Sequence, residues 1–196
     1  LNLLLCKVGF SRRGAYLTLE EGTLLQGFPR LKADPNRLGM AVNCLKFVEA
    51  VEVGPAGGRA VFDLLLDSLH VLEETSEPPD VFPLFFRARA AFEQGFGPDF
   101  AACHVCGKPA AELDQGLFLV EKGRICCASC RDSGGLALPV SAGAALTLDR
   151  LSRTAPADWT RLDMGGGVRR QCYEIIERFV AFHLGLSWDG GRFRKV

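Results

Sequence analysis

The stretches Cys103-His104-Val105-Cys106 and Cys126-Cys127-Ala128-Ser129-Cys130 lie in the middle of this 196-residue chain and organise its fold. Each contains a Cys-x-x-Cys pair, and 20 residues separate the two pairs. Two residues between cysteines allow a tight turn that aims both sulfur atoms at one point, so two such pairs can surround Zn²⁺. We therefore predict one structural zinc ion per chain. Its predicted ligands are Cys103, Cys106, Cys127 and Cys130.

The cysteine pattern has alternative interpretations. Cys126 competes for the third ligand position, but only Cys127 keeps the two-residue spacing to Cys130. His104 is a poorer ligand candidate than the four thiols. A catalytic zinc ion keeps one position open, whereas four thiolates fill the shell, so we expect the metal to be structural. A Cys-x-x-Cys oxidoreductase would need a βαβ context that is absent here, and iron in a rubredoxin-like site is the less favoured metal.

The composition is that of a globular protein, with 48% hydrophobic and 23% charged residues. No apolar run approaches the ~20 residues that span a bilayer, and no secretory signal is visible. The remaining cysteines Cys6, Cys44 and Cys172 occur singly in apolar surroundings, which favours a reducing cytoplasm over a disulfide framework. The chain starts without Met, in what looks like the middle of a strand, so we expect further residues before Leu1.

The net charge is zero, but its distribution along the chain is uneven. Residues 1–37 carry six Lys/Arg against three Asp/Glu, and residues 131–196 carry ten against seven. Residues 38–102 carry four against ten. A chain that is basic at both ends and acidic in the middle can hold an anionic partner on one face.

The hydrophobic pattern predicts mostly helices after a short β-hairpin. Residues 1–8 and 16–21 are strand-like, with the turn at Ser11-Arg12-Arg13-Gly14, and a lone hairpin needs further strands to be stable. Apolar residues at helical spacing predict further elements. These are helices from Asp34-Pro35 to Gly54-Pro55, over 59–74, 80–94, from Ser141 to about 152 and over 168–184, and a hairpin at 117–123.

Three basic segments are candidate contacts for an anionic partner such as a nucleic acid. Arg169 and Arg170 follow three glycines at a helix start, where free N–H groups attract phosphate, although two solvated arginines are an equally good interpretation. In the tail, the charged residues Arg192, Arg194 and Lys195 alternate with an aromatic residue, as in proteins that bind single-stranded nucleic acid. The alternative interpretation is a solvated terminus. Arg12 and Arg13 lie at the predicted hairpin turn. The alternative interpretation is a polar turn without a binding role.

No residue pattern predicts catalysis, so we expect no enzyme. The phenylalanines Phe82, Phe85 and Phe86 have the spacing of a buried helix face. His70 and His183 have no Ser, Cys or carboxylate partner at a spacing that implies a triad. A phosphate-binding loop of the GxxxxGK[ST] type is also absent, which excludes nucleotide hydrolysis of that kind.

These elements in this order resemble the bacterial DNA recombination and repair protein family RecO. The residues 24–31 (LLQGFPRL) look like that family's junction between an OB-fold and a helical domain. The two cysteine stretches resemble its zinc finger, and residues 178–185 (RFVAFHLG) look like its C-terminal helix. The resemblance covers nearly the whole chain.

The resemblance implies a mostly α (α+β) fold, a helical bundle with an inserted four-cysteine zinc finger and the remnant of an N-terminal OB-fold β-domain. It divides the chain into an OB-fold-like part (1–30), a first helical part (31–100), the zinc finger (101–133), and a second helical part with the basic tail (134–196).

The resemblance also implies a non-catalytic mediator in the bacterial cytoplasm, associated with the nucleoid. Such a protein binds single- and double-stranded DNA, anneals complementary strands and, with RecR, helps RecA displace single-strand-binding protein, whose C-terminal tail it contacts. The alternative is a zinc-containing adaptor that docks other proteins without binding DNA, which the acidic segment 38–102 favours. A zinc-dependent hydrolase is the remote third hypothesis.

Overall fold

The computed structural model describes residues 1–10, 16–51, 57–131 and 134–196. The predicted turn at Ser11-Arg12-Arg13-Gly14 and the predicted helix stop at Gly54-Pro55 lie outside these residues. Within the described parts the predicted fold class is confirmed, because helices pack around a small sheet that carries the cysteine pairs. No described helix is both long and apolar enough to cross a membrane.

The chain begins with an antiparallel hairpin of β1 (Asn2–Phe10) and β2 (Leu17–Gly27). The second strand is longer than the predicted 16–21, because it stays paired with β1 as far as Gly27, through two register shifts. The large apolar side chains of this hairpin are exposed along both strands. They include Leu4, Leu5, Val8, Phe10, Leu17, Leu19, Leu24 and Leu25.

Seven helices make up most of the rest of the described chain. They are α1 (Pro29–Ala33), α2 (Pro35–Ala50), α3 (Gly58–Glu74), α4 (Phe82–Ala91), α5 (Ala142–Arg153), α6 (Pro156–Trp159) and α7 (Gly166–Leu184). The predicted caps are present: the Asp34 side chain accepts from the N–H groups of Asn36 and Arg37, and the Ser141 hydroxyl accepts from Ala144. The short helix α6 has too few residues to give a periodic pattern and was not predicted.

The third predicted helix, over 80–94, is shorter in the structure. Regular α-helix ends at Ala91, and a π-helical turn follows over Phe92–Phe96. Gly95 within this turn has a φ of +91°, which is a left-handed conformation that favours glycine and breaks the helix. The break turns the chain towards the sheet.

A four-stranded sheet and a terminal hairpin complete the fold. The sheet has the order β3-β5-β4-β6, with β3 (Asp99–Cys103), β4 (Gly116–Leu119), β5 (Arg124–Cys127) and β6 (Ala137–Val140). The predicted hairpin is β4 with β5, whereas β6 extends the sheet past residue 133. The basic tail is not a free terminus, because β7 (Leu186–Trp188) pairs with β8 (Phe193–Lys195).

The core is rich in aromatic side chains. Phe82 and Phe85 pack against the buried Trp159 of α6, with ring centroids 5.4 and 6.4 Å apart. Phe86, predicted with them, is also fully buried. The core is continuous with the sheet, since Phe100 of β3 stacks on Phe118 of β4 at 5.0 Å.

Charged side chains form hydrogen bonds with backbone groups at helix ends that have no backbone partner. Arg37 donates to the Leu72 carbonyl at the end of α3, over 2.8 Å, and Arg89 donates to the Ser152 carbonyl at the end of α5, over 2.6 Å. Glu73 accepts from the backbone N–H groups of Arg30 and Leu31 in α1. These bonds tie helices together at the positions where orphan backbone groups would otherwise be left.

One buried ion pair joins four elements. The Arg87 side chain of α4 lies 2.5 Å from Glu177 of α7 and donates to Asn43 of α2 over 3.0 Å. Its guanidinium carbon lies 5.6 Å from the ring centroid of Phe193 in β8. Because Arg87 is buried, its charge depends on Glu177 for compensation.

Replacing Glu177 with alanine should lower the free energy of unfolding by about 3 kcal/mol, because it leaves the buried Arg87 charge without a carboxylate. Urea unfolding followed by circular dichroism measures this loss. Glu174→Ala, an exposed change on the same helix, is the matched control and should alter stability by less than about 0.5 kcal/mol. Equal losses for both variants would contradict the role of the pair.

Candidate metal centre and nucleic-acid interface

The sheet brings the two cysteine pairs together. Strand β3 ends at Cys103 and runs parallel to β5, which ends at Cys127, so each pair begins at the same edge of the sheet. The sulfur atoms of Cys103, Cys106, Cys127 and Cys130 all lie within 4.8 Å of one another, and those of Cys106 and Cys127 are 3.8 Å apart. Zn–S bonds of about 2.3 Å imply sulfur separations of about 3.8 Å in a tetrahedron. The quartet therefore fits a metal ion.

A tight turn positions the two cysteines of the first pair, Cys103 and Cys106. The Gly107 N–H donates to the Cys103 carbonyl over 2.9 Å, and the Cys103 N–H donates to the Lys108 carbonyl over 2.8 Å. Gly107 has a φ of +73°, which other residues rarely adopt. The turn requires this glycine directly after the Cys-x-x-Cys pair.

The local hydrogen bonds favour thiolates at two of the four positions. Burial opposes ionisation of Cys103, but N–H groups of Cys106, Cys127 and Val105 outweigh it and lower the pKa of the Cys103 thiol to about 6. The pKa of Cys127 is also lowered, despite burial, by hydrogen bonds from Cys130 and Cys106. These are the ionised ligands that a metal ion needs.

Cys130 shows the opposite shift in the same cluster. The Cys130 thiol forms hydrogen bonds with Cys127 and Cys106. These bonds, of which the one with Cys127 has the larger effect, raise the pKa of Cys130 to about 12. A proton is therefore held among sulfur atoms that lie close enough to repel each other as anions. A divalent cation would replace that proton, so binding releases protons and strengthens as the pH rises.

The neighbouring Cys126 is not part of the quartet. It lies opposite Leu117 in the pairing of β4 with β5, and it is fully buried. Successive side chains of a strand point to opposite faces, so Cys126 faces the core while Cys127 faces the other sulfur atoms. Cys44 and Cys172 are different again, because burial raises the pKa of each thiol to about 12 and leaves them as neutral core residues.

The two predicted arginines at the start of α7 have different surroundings. The half-exposed Arg169 forms an ion pair with Asp80 over 2.6 Å. Arg170 is exposed and has no ion-pair partner among the described residues. The predicted glycines do lead into this helix, but Gly166 and Gly167 belong to its first turn.

The tail residues belong to the terminal hairpin. Asp189, at the end of β7, pairs with Arg194 and lies 3.9 Å from Arg192. Lys195 is in β8 and lies opposite Leu186. The hairpin follows the C-terminal end of α7, whereas Arg169 lies in the first turn of that helix. Arg12 and Arg13 lie outside the described residues.

Sequence reasoning missed polar residues that the fold brings to the metal module. A cleft of about 290 Å³ lies beside the second cysteine pair. It is lined in part by Gln115, Arg131, Ser141 and Gln171. The side-chain Oε1 of Gln171 accepts from the Ser141 hydroxyl over 2.6 Å and so joins α7 to the start of α5. These residues are far apart in sequence, and no spacing could have indicated their proximity.

The chain is similar to known DNA repair proteins over almost all of its length. The family model described as "Recombination protein O C terminal" matches residues 32–191. The DNA repair protein RecO of Maridesulfovibrio salexigens is 43% identical over 192 residues, which are 98% of this chain and 77% of that protein. The proteins of the same description from Nitratidesulfovibrio vulgaris strain Hildenborough and Lawsonia intracellularis are 38% and 32% identical, and each alignment covers all of this chain and 79% of the relative.

The geometry predicts which of two adjacent cysteines binds metal. Cys127→Ala should weaken both the thiolate-to-cobalt absorption and the affinity for Co²⁺, because it removes one of the four sulfur ligands. Cys126→Ala is the matched control and should retain that absorption, since its side chain lies in the core. Loss of the band in Cys126→Ala alone would contradict this assignment.

Proposed function

This chain belongs to the RecO family of DNA repair proteins, and we propose that it is a DNA-binding recombination mediator. It would bind single- and double-stranded DNA and anneal complementary strands. With RecR it would help to load RecA, and it would contact the C-terminal tail of single-strand-binding protein. The observation that carries the proposal is 43% identity, over 98% of the chain, to a protein named for DNA repair.

DNA capture in this proposal is electrostatic. The exposed Arg170 forms no ion pair among the described residues, and the nearest acid along its helix is Glu174, one turn away. Arg169 and Arg194 are held by Asp80 and Asp189, and exposed ion pairs of this kind are worth little in water, so a phosphate can replace the carboxylate. Binding of this type is independent of sequence and weakens as salt rises. It lets two strands approach each other on one protein surface.

We propose that the metal is zinc and that its role is structural. Four cysteines complete a tetrahedral shell, which leaves no position for water or substrate. The ion would fix the edge of the sheet from which Cys103 and Cys127 project. A closed shell supplies no reactive group, so the proposed protein is a mediator without catalytic activity that acts on DNA in the bacterial cytoplasm.

The division of the chain also stands as a proposal. Residues 1–30 would be the C-terminal part of an OB-fold-like domain, and the exposed leucines of β1 and β2 support this, because such a surface is stable only when further strands cover it. The parts 31–100, 101–133 and 134–196 would be helical, metal-binding and helical in turn.

The second candidate function is a protein-interaction adaptor. An apolar cavity of about 150 Å³ lies between the hairpin and helices α2 and α3, and its lining favours an apolar side chain of a partner. The lining includes Leu45, Phe62, Leu65, Leu66 and Leu69. An adaptor would keep its partners when Arg169 and Arg170 are both reversed in charge, and it would show no DNA binding before that change.

Arg170→Glu should weaken binding to single-stranded and double-stranded DNA alike, and it should reduce the slope of log K against log salt by about 1. The reason is the loss of one phosphate contact and the gain of a repelling carboxylate. Fluorescence anisotropy with labelled oligonucleotides over a series of salt concentrations measures both quantities.

Arg59→Glu is the control for charge reversal. Arg59 is exposed on α3, is paired with Asp63 over 2.7 Å and lies in the acidic segment. Its reversal should leave DNA affinity within about twofold. If the unaltered protein fails to bind DNA even at low salt, the mediator proposal fails and the adaptor is favoured.

Metal analysis of the protein purified without added zinc should find one zinc ion per chain. Cys103→Ser should lose the ion and loosen the metal module, because ligation contributes several kcal/mol or more to folding. Limited proteolysis of the module provides the measurement. A protein without bound metal, or a variant as protease-resistant as the parent, would contradict the structural role.

A further inference from the structure

Three rings meet on the surface near the end of α7, away from the arginines at its start. The Phe96 ring lies 4.7 Å from the His183 ring, and the Phe182 ring lies 5.0 Å from the His183 ring in an edge-to-face arrangement. Phe96 is 40% exposed and Phe182 is 51% exposed, in contrast to the buried phenylalanines of the core. Exposed rings grouped in this way are an unusual use of apolar surface and indicate a binding site.

The rings are held in place by the backbone around them. The His183 side chain donates from Nε2 to the Val120 carbonyl over 2.9 Å, and Phe179 supports the His183 ring from the core at 4.3 Å. Phe96 ends the π-helical turn in which Gly95 has its φ of +91°. π-Helical turns are frequent at functional sites. The surface is therefore formed before any ligand arrives.

A cavity of about 290 Å³ opens beside these rings. Phe96 and His183 line it together with Val51, Gln94 and Leu184. The Gln94 amide nitrogen is buried there and has no acceptor among the described residues. A ligand that fits must present a flat face to the rings and a hydrogen-bond acceptor to Gln94.

Basic residues border the rings. The turn between β4 and β5 lies against Phe96, since a Cβ atom at Gly123 would be 3.6 Å from the Phe96 carbonyl oxygen. Lys122 and Arg124 flank Gly123, and the exposed Arg178 lies one helical turn before Phe182. The nearby carboxylates are partly engaged, because Asp99 lies 3.7 Å from Arg124 and Glu93 lies 2.8 Å from Arg89.

We propose that Phe96, Phe182 and His183 form a stacking platform for the bases of a single DNA strand, whose phosphates follow Lys122, Arg124 and Arg178. The inference rests on the proposed function. It deepens that function by assigning the contact through which the protein distinguishes single strands from duplexes. Aromatic faces with a cationic border suit bases and phosphates together. The buried amide of Gln94 suits a base carbonyl, whereas an apolar peptide side chain would leave it without an acceptor. A duplex keeps its bases stacked inside and cannot use the rings.

The test compares the Phe96→Ala/Phe182→Ala double variant with Leu146→Ala. Leu146 is 47% exposed on α5 and controls for the loss of an exposed apolar side chain. The double variant should bind a labelled oligo-dT strand at least about tenfold more weakly, with duplex affinity unchanged. Its salt dependence should equal that of the parent, because the phosphate contacts are intact. Leu146→Ala should bind like the parent.

A second measurement uses a single strand that contains aminopurine, whose fluorescence is quenched by stacking. The parent protein and Leu146→Ala should change this fluorescence in the same way, and the double variant should lose that change. Should the double variant unfold more readily than the parent, Phe182→Ala alone serves, since its ring is the more exposed of the two.

Equal losses for single strands and duplexes, or no loss for either, would overturn the stacking platform. The same holds if the double variant keeps its DNA affinity and instead loses binding to a partner protein, because the rings would then be a protein-docking surface. A parent protein that binds no DNA would instead overturn the proposed function, so the two failures are distinguishable.

Discussion

The buried guanidinium of Arg87 is the constraint on which the arrangement of the helices depends. A buried charge must be compensated at close range, and this requirement places Glu177 of α7 and Asn43 of α2 at fixed positions around α4. The same group lies over the Phe193 ring and so positions the terminal hairpin. The directional bonds of Arg87 to Glu177 and Asn43 add to the apolar packing between these helices a requirement for one relative position.

Helix α7 connects this core to both candidate sites. Its first turn carries Arg169 and Arg170, and its last turn carries His183, whose bond to Val120 fixes the turn that follows β4. That turn leads into β5, which ends at Cys127. The metal module is therefore anchored to the helix that presents the proposed DNA contacts. Loss of the metal would disturb the surface of Phe96 and Lys122 without removing any of its residues.

Local rules were sufficient to predict the starts of α2 and α5 and the cysteine quartet. Asp34 and Ser141 act within three residues of their own positions, and the spacing of Cys127 from Cys130 is itself the geometry of the turn. The unpredicted features depend on tertiary contacts. The C-terminal hairpin exists because Phe193 packs 5.0 Å from Phe47, which is far away in sequence. The platform at Phe96 likewise needs α7 beside the π-helical turn, and no periodicity encodes that proximity.

A chain of zero net charge can still bind DNA if its anions and cations are spatially separated. A filled site of four cysteines would itself be anionic, because four thiolates outweigh one divalent ion, and the cations Lys108 and Arg131 border it. The cations at Arg170 and Arg178 lie on the exposed side of α7, where Glu174 is the intervening acid. Electrostatic attraction of DNA to this side of α7 is therefore weak and independent of sequence. Selectivity for single strands must then come from groups that recognise bases, and exposed aromatic rings can do so without regard to sequence.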